Sequence, residues 1–339
     1  MIADRRGVWN LVRARQRHQR ALRLWRAGHL RRGQQHVVRA IALFDGAAVV
    51  ELVGALLTLA DFQFQLARYA EAEATLCRAI RLLDAAPRDR RCHAMLVDAW
   101  IRLANSQRRQ GKLDVAEATL CGAIAGHAEL ATPVGLLSAA NNALGVVYKD
   151  AGRYAEAAGR YAAALATSTH TDLTASIYHN LAGLAHAEGR FTDAVTPART
   201  ALALHRRERG PTATEVAADA AVLGAVLLDL GHLDEAEAQL SQAYRIWVRR
   251  FGPDHYEVAV CLHGLGVALY RRGDPEAARR SLDEALQIKT NVLGPDHPEV
   301  TALQHNLAVV HANPHPSIVD LSACPDSSGP GSTSRSTWC

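Results

Sequence analysis

The 339-residue sequence predicts an all-α fold, a solenoid of about seven helical hairpins closed by one further helix. Three observations predict it. A six-residue phrase recurs as GHLRRG, ARYAEA, GKLDVA, GRYAEA, GRFTDA, GHLDEA and GDPEAA, starting at Gly28, Ala67, Gly111, Gly152, Gly189, Gly231 and Gly273. The steps are 39, 44, 41, 37, 42 and 42 residues, the length of one helix–turn–helix unit. Other columns keep step with the phrase, and the composition (49% hydrophobic, 5% aromatic) suits helices packed through small side chains.

Each hairpin reads the same way. Eight residues before the phrase stand Leu59, Leu103, Leu144, Leu181, Leu223 and Leu265, and the next position holds Ala60, Ala104, Gly145, Ala182, Gly224 and Gly266. A large residue beside a small one marks the first helix of the pair. The Gly that opens the phrase ends that helix, because glycine reaches the left-handed conformation without a Cβ penalty. Two residues on, Leu30, Tyr69, Leu113, Tyr154, Phe191 and Leu233 plug the turn, and Pro275 breaks that column.

The second helix follows. Five residues after the phrase starts stand Gly33, Ala72, Ala116, Ala157, Ala194, Ala236 and Ala278. Twelve residues after it, Ala40, Ala79, Ala123, Ala164, Ala201, Ala243 and Ala285 are all alanine, each followed by Ile, Leu or Tyr. Offsets five, nine, twelve and thirteen trace one helix face, where small residues admit a neighbouring helix. The first unit departs at Arg20 and Gly33, where Leu and Ala are expected, and should pack loosely.

Joints between the later units carry their own signal. Gly210-Pro211, Gly252-Pro253-Asp254-His255 and Gly294-Pro295-Asp296-His297 lie 42 residues apart, each leading to Glu-Val. Gly-Pro stops the outgoing helix. Asp254 with Glu257, and Asp296 with Glu299, have the spacing of a capping box for the next one.

These columns resemble the tetratricopeptide repeat over about residues 10–312. The 42-residue joints with GPDHxEV are similar to the subclass found in kinesin light chains and many bacterial proteins. The resemblance implies a right-handed superhelix. The chain then divides into a basic N-terminal segment with a divergent first repeat (1–46), repeats two to seven (47–295), the single helix of an incomplete eighth repeat (296–312), and a disordered Pro/Ser/Gly tail (313–339).

The residues offer little chemistry. No Walker, HExxH, GxSxG or paired CxxC motif is present, so no catalytic, cofactor or metal site is expected. Gly264-Leu265-Gly266 lacks a third glycine and falls inside a repeat helix. Cys77 and Cys121 share one offset in adjacent units, about 10 Å apart on packed hairpins and beyond disulfide reach. They read as small packing residues, and Cys324 and Cys339 fall in the tail. His179, His263 and His305 share one slot, but repeats are too widely spaced for them to gather round a metal.

Arg and Ala are abundant and Lys is confined to Lys112, Lys149 and Lys289, as GC-rich bacterial codon usage produces. The six scattered Cys and the absence of a leader or a membrane-length apolar run lead to a cytoplasmic expectation. Net charge is only +4, yet residues 1–39 hold eleven Arg against Asp4 alone. Nucleic acid is therefore a weaker alternative partner, reached through the Arg-rich start. A peptide-sensing module detached from an ATPase or regulator is another.

What the resemblance implies is a non-catalytic scaffold that holds a peptide or protein partner on its inner face, lined by first helices. The residues placed there are Asn142, Lys149, His179, Asn180, His186, His263, Tyr270, Arg271, His305 and Asn306. Asn amides both donate to and accept from a peptide backbone, and Arg or Lys hold a carboxylate.

Overall fold

The computed structural model describes residues 2–44, 48–87, 89–130 and 133–312. The expected tail lies outside them. The described residues form fifteen helices and no strand. They fall into two compact units, residues 1–169 and 170–339. The first holds α1 (Ile2–Arg26), α2 (Leu30–Ile41), α3 (Val49–Gln65), α4 (Tyr69–Asp84), α5 (Arg90–Arg109), α6 (Leu113–Leu130), α7 (Val134–Asp150) and α8 (Tyr154–Thr167). The second holds α9 (Thr171–Ala187), α10 (Phe191–Arg209), α11 (Thr214–Asp229), α12 (Leu233–Phe251), α13 (Tyr256–Arg271), α14 (Pro275–Leu293) and α15 (Pro298–Ala312).

Within each unit every odd-numbered helix packs on the even-numbered one that follows, and each pair packs on the next, α15 closing against α14. The recurrent phrase is the turn inside each pair. Its Gly takes positive φ at residues 28, 111, 152, 189, 231 and 273. The following N–H then bonds back across the helix end, as Arg153 N–H does to the Tyr148 carbonyl at 2.8 Å and His232 N–H to Leu227 at 2.8 Å. This is the Schellman closure, and all seven turns make it. The plug residue is the first residue of every even helix, and Pro275 fits there because the first helical position needs no N–H donor.

The small-residue columns are the packing surface. Both alanine columns are buried to within 1% of full burial, Gly33 included as a buried member. At the helix crossing, the small residue seven before the turn faces the residue nine after it. A Cβ on Gly145 would lie 2.5 Å from the Tyr161 ring, and one on Gly224 or Gly266 would strike Leu240 or Leu282. Where the small residue is Ala182, the residue at the facing position is the equally small Ala198, and both are buried.

Two expectations are corrected. The first hairpin does not pack loosely at Gly33. The Phe62 ring occupies the space a Cβ would need, 2.4 Å away, and Trp25 meets Phe62 edge-on at 4.9 Å. Glycine there makes room for an aromatic from the next pair. The capping box is also replaced. His255 is the N-cap of α13, its Nδ1 accepting from Glu257 N–H at 3.3 Å, and His297 Nδ1 accepts from Glu299 N–H at 3.2 Å. Burial lowers the His255 pKa, so the ring stays neutral and able to accept. Its ring also stacks on Phe251 at 4.5 Å. With the cap supplied by histidine, the Glu299 carboxylate is left to receive Tyr256 Oη at 2.8 Å and the buried Lys289 Nζ at 2.8 Å. That contact ties α13, α14 and α15 together.

Ala67 stands where the other six turns have Gly, and it is forced to φ 57°. A left-handed Ala costs roughly 1–2 kcal/mol, partly offset by the greater chain entropy that Gly loses on folding. Ala67→Gly should therefore raise the urea unfolding free energy by about 1 kcal/mol. A lower midpoint in the variant would contradict this reading of the turn.

Candidate functional site

The predicted binding residues stand on the first helices of the hairpins, and the two units present them separately. In the second unit α9, α11, α13 and α15 are the first helices. His179 Nδ1 bonds Asp219 Oδ1 at 2.8 Å, joining α9 to α11. His186 Nε2 bonds Asp229 Oδ2 at 2.7 Å between the same two helices. Arg271 on α13 donates to the Leu228 carbonyl of α11 at 2.6 Å. Asn306 on α15 donates its amide to His263 Nε2 at 2.8 Å, and burial lowers the His263 pKa to about 3, keeping the imidazole a neutral acceptor.

Five of the ten predicted residues therefore bond a neighbouring repeat about 40 residues away. Tyr270 is a sixth with a structural placement, fully buried in the core of this unit. Asn180 is half-buried, and His305 is exposed. In the first unit Asn142 and Lys149 of α7 are both half-buried.

The first unit carries a parallel set of links that the sequence reading missed. His18 on α1 meets Thr58 on α3 at 2.9 Å. Arg102 on α5 pairs with Asp61 on α3, and Arg108 on α5 pairs with Asp150 on α7. The signal was available as complementary polar residues one repeat apart: 18 and 58, 61 and 102, 108 and 150.

Asp219 is the centre of a buried polar cluster. Only 1% of its side chain is exposed, and its second oxygen accepts from His205 Nδ1 of α10 at 2.6 Å. Burial would raise the Asp219 carboxyl pKa, but the bonds from His179 and His205 outweigh it and hold the group below 3.8. Burial would likewise lower His205, and the Asp219 bond reverses this, so His205 lies above 6.5. His205 Nε2 stands 3.5 Å from Ser176 Oγ, which gives a Ser–His–Asp order. The arrangement lacks what acyl transfer needs. Ser176 is inside α9, its hydroxyl bonds the Asp172 carbonyl at 3.1 Å, and a helix interior has no pair of free amides to receive an oxyanion. The cluster is a clasp holding α9, α10 and α11 at one point.

Among the described residues no group of three His, Cys, Asp or Glu side chains is placed to hold a metal, and no helix is long and apolar enough to cross a membrane. Cys77 is half-buried, Cys121 exposed, and Cys92 and Cys261 buried, all as free thiols.

The comparisons with known proteins agree with this geometry. The tetratricopeptide repeat family model matches three overlapping stretches, 135–207, 173–247 and 217–291. No curated protein matches the chain. Among solved structures, BtubC (BKLC) from P. vanneervenii superposes with a TM-score of 0.56 at 23% identity, covering 67% of this chain and 92% of that one. RapI in its apo form gives 0.57 at 11% identity, over 82% and 98%. A tetratricopeptide repeat protein from Parabacteroides merdae gives 0.53 at 12%, over 88% and 98%. These likenesses are in fold, and the matched family is not a catalytic one.

Removing the Asp219 charge leaves two histidines bonded to a neutral amide. Asp219→Asn should cost about 2–4 kcal/mol near neutral pH. The pH dependence has a defined sign. The depressed Asp219 contributes above 3.8 and is lost as pH falls through its folded value. The raised His205 contributes fully below 6.5 and fades as pH rises through its folded value. The stability gap between wild type and His205→Gln, read by urea titration, should therefore be largest between those two values and shrink on the alkaline side. A gap that grows as pH rises above 6.5 would refute the assignment.

Proposed function

Because this chain is a tetratricopeptide-repeat protein, matched by the family model over residues 135–291, we propose that it is a cytoplasmic, non-catalytic scaffold that docks a peptide or partner segment on its first-helix faces. One observation carries the reading. Along each unit the first helices are bonded to one another, one repeat to the next, by polar links such as His179–Asp219, His263–Asn306 and Arg108–Asp150. Such links fix the face before any partner arrives, and a preorganised surface loses less entropy on binding.

Between the links stand polar groups with at least partial exposure: Asn142 and Lys149 in the first unit, Asn180, Arg271 and His305 in the second. Amide and cationic groups of this kind suit a peptide backbone with acidic side chains. His179, His186, His263 and Asn306 act in this reading by positioning helices, and Tyr270 by filling the core.

A peptide library displayed on phage and selected against the full chain tests the proposal. A scaffold should enrich a consensus sequence, and at least one of Asn142→Ala, Lys149→Ala, Asn180→Ala and His305→Ala should weaken its binding while leaving thermal unfolding unchanged. Selection without a consensus, or a consensus indifferent to all four substitutions, would set the reading aside for this face.

A further inference from the structure

The α1–α2 hairpin concentrates positive charge on side chains outside the predicted binding set. Residues 5–44 contain eleven Arg and no Asp or Glu. Arg15 is paired with Glu51 at 2.6 Å. Arg13, Arg17, Arg20, Arg32 and Arg39 make no ion pair with a carboxylate among the described residues. Helical spacing sets these five in two rows. On α1, Trp9, Arg13, Arg17 and Arg20 follow one another at intervals of four, four and three residues. On α2, Arg32, His36 and Arg39 follow at four and three. The α1 row runs for about 17 Å along its helix.

The two rows meet at His36. Its imidazole is held below 6.5 by burial first, and then by the charges of Arg20 and Arg17 from α1 and of Arg39 and Arg32 from α2. Four guanidinium groups from two helices thus stand around one half-buried, uncharged ring. Like charges gathered in this way repel one another. A polyanion laid along the rows removes the repulsion and sheds its own condensed counter-ions. Trp9, 65% exposed, stands at the head of the α1 row and offers a flat apolar face beside the charge.

We infer that the α1–α2 hairpin binds the sugar–phosphate backbone of a single-stranded nucleic acid, its arginines pairing with phosphates and Trp9 stacking on a base. The chemistry of the surface selects this partner. Protein interfaces are depleted of charge at their centre, whereas nucleic-acid interfaces are polar and strongly positive. Exposed Gln16, Gln19 and Gln35 add donors of the kind that reach phosphate and sugar oxygens. Guanidinium forks suit phosphate oxygens, and an aromatic face accepts any base. A membrane surface fits less well. An interfacial helix needs a continuous apolar face of its own. That face of α1 is already in the core, with Ala14 and Ala21 fully buried and Leu11 and Trp25 packed against it.

Fluorescein-labelled uridylate and thymidylate twenty-mers, titrated with the full-length protein over a range of salt and read by anisotropy, test the proposal. Both should bind at low salt. A tighter uridylate complex identifies RNA as the source of the phosphates, and a tighter thymidylate complex DNA. Each guanidinium that pairs with a phosphate contributes about −0.7 to the slope of log K against log salt on a single strand. The double variant Arg20→Gln/Arg39→Gln should weaken binding at least ten-fold and flatten that slope by about 1.4. Arg13→Gln/Arg32→Gln should act alike. All four side chains are exposed, so both variants should melt near the wild-type temperature. Trp9→Ala should weaken binding at least three-fold and leave the slope unchanged, because stacking releases no counter-ion. The control is Arg78→Gln/Arg81→Gln, which removes two exposed charges from α4 in the same unit and should alter neither affinity nor slope.

Absence of binding at low salt overturns the proposal. So does an equal loss in the α4 control, which would assign the effect to overall charge. Displacement of the oligonucleotide by polyglutamate, or by phosphatidylserine vesicles, at matched charge would transfer the surface to an acidic protein or to a membrane. A blunt duplex bound more tightly than either strand, or a Trp9→Ala variant of unchanged affinity, would overturn the single-strand assignment. The peptide selection decides the scaffold reading independently, so the two can fail separately.

Discussion

Close approach of two helices at one point per repeat is the constraint on which the rest of the structure depends. At each crossing the first helix offers a hydrogen or a methyl group, and the second helix offers a side chain to fill the room that leaves. Gly145 receives Tyr161, Gly224 receives Leu240 and Gly266 receives Leu282, while Ala182 faces Ala198. Where the first helix has glycine, the facing Tyr or Leu fills the space to the contact distance that a close-packed interior requires. The flanking alanine columns then let the next hairpin approach, and burial of those columns is what stacks the hairpins within a unit.

Polar contacts follow from that geometry. Once hairpins are stacked at a fixed separation, a residue on one first helix lies beside its equivalent one repeat later. His18 and Thr58, Asp61 and Arg102, His179 and Asp219, His263 and Asn306 differ by about one repeat length for this reason. In isolation, half-exposed ion pairs such as Arg102–Asp61 contribute little to stability. Their effect is angular: each sets the position of one helix against the next. The buried Asp219 cluster differs, because its carboxylate, shielded from water, depends on both histidines for its hydrogen bonds.

The fold was legible because it is written in columns that repeat. Seven alanines in phase at the twelfth position and six leucines at the eighth before the turn state a period and a packing face at once. The binding face was less legible, because a polar residue on a first helix has the same one-letter signature whether it faces a partner or a neighbouring repeat. His263 and Asn306 read as recognition groups and bond each other instead. Their complements lie about 43 residues away, and only the stacked geometry brings them together. His205 was missed for a related reason: it belongs to a second helix and completes a cluster on the first. Gly33 was misread as a weakness, because its compensation, Phe62, comes from the following pair.

A repeat array acquires individuality where it departs from its own period, and here the departures concentrate at the start. Arg20 takes the place of a leucine, and Gly33 the place of an alanine. Phe62 turns into the space at Gly33, bringing Trp25 with it. On the first-helix side Arg15 reaches Glu51, and a cavity remains beside Phe44 and Met95. The later units, whose columns hold almost without exception, close their first helices with histidine, asparagine and arginine bonds. Regular repeats thus build a braced support, and the first hairpin borders a charged recess beside it. Selectivity for a partner belongs where the side chains are least repetitive, because identical repeats offer identical contacts and cannot fix a register.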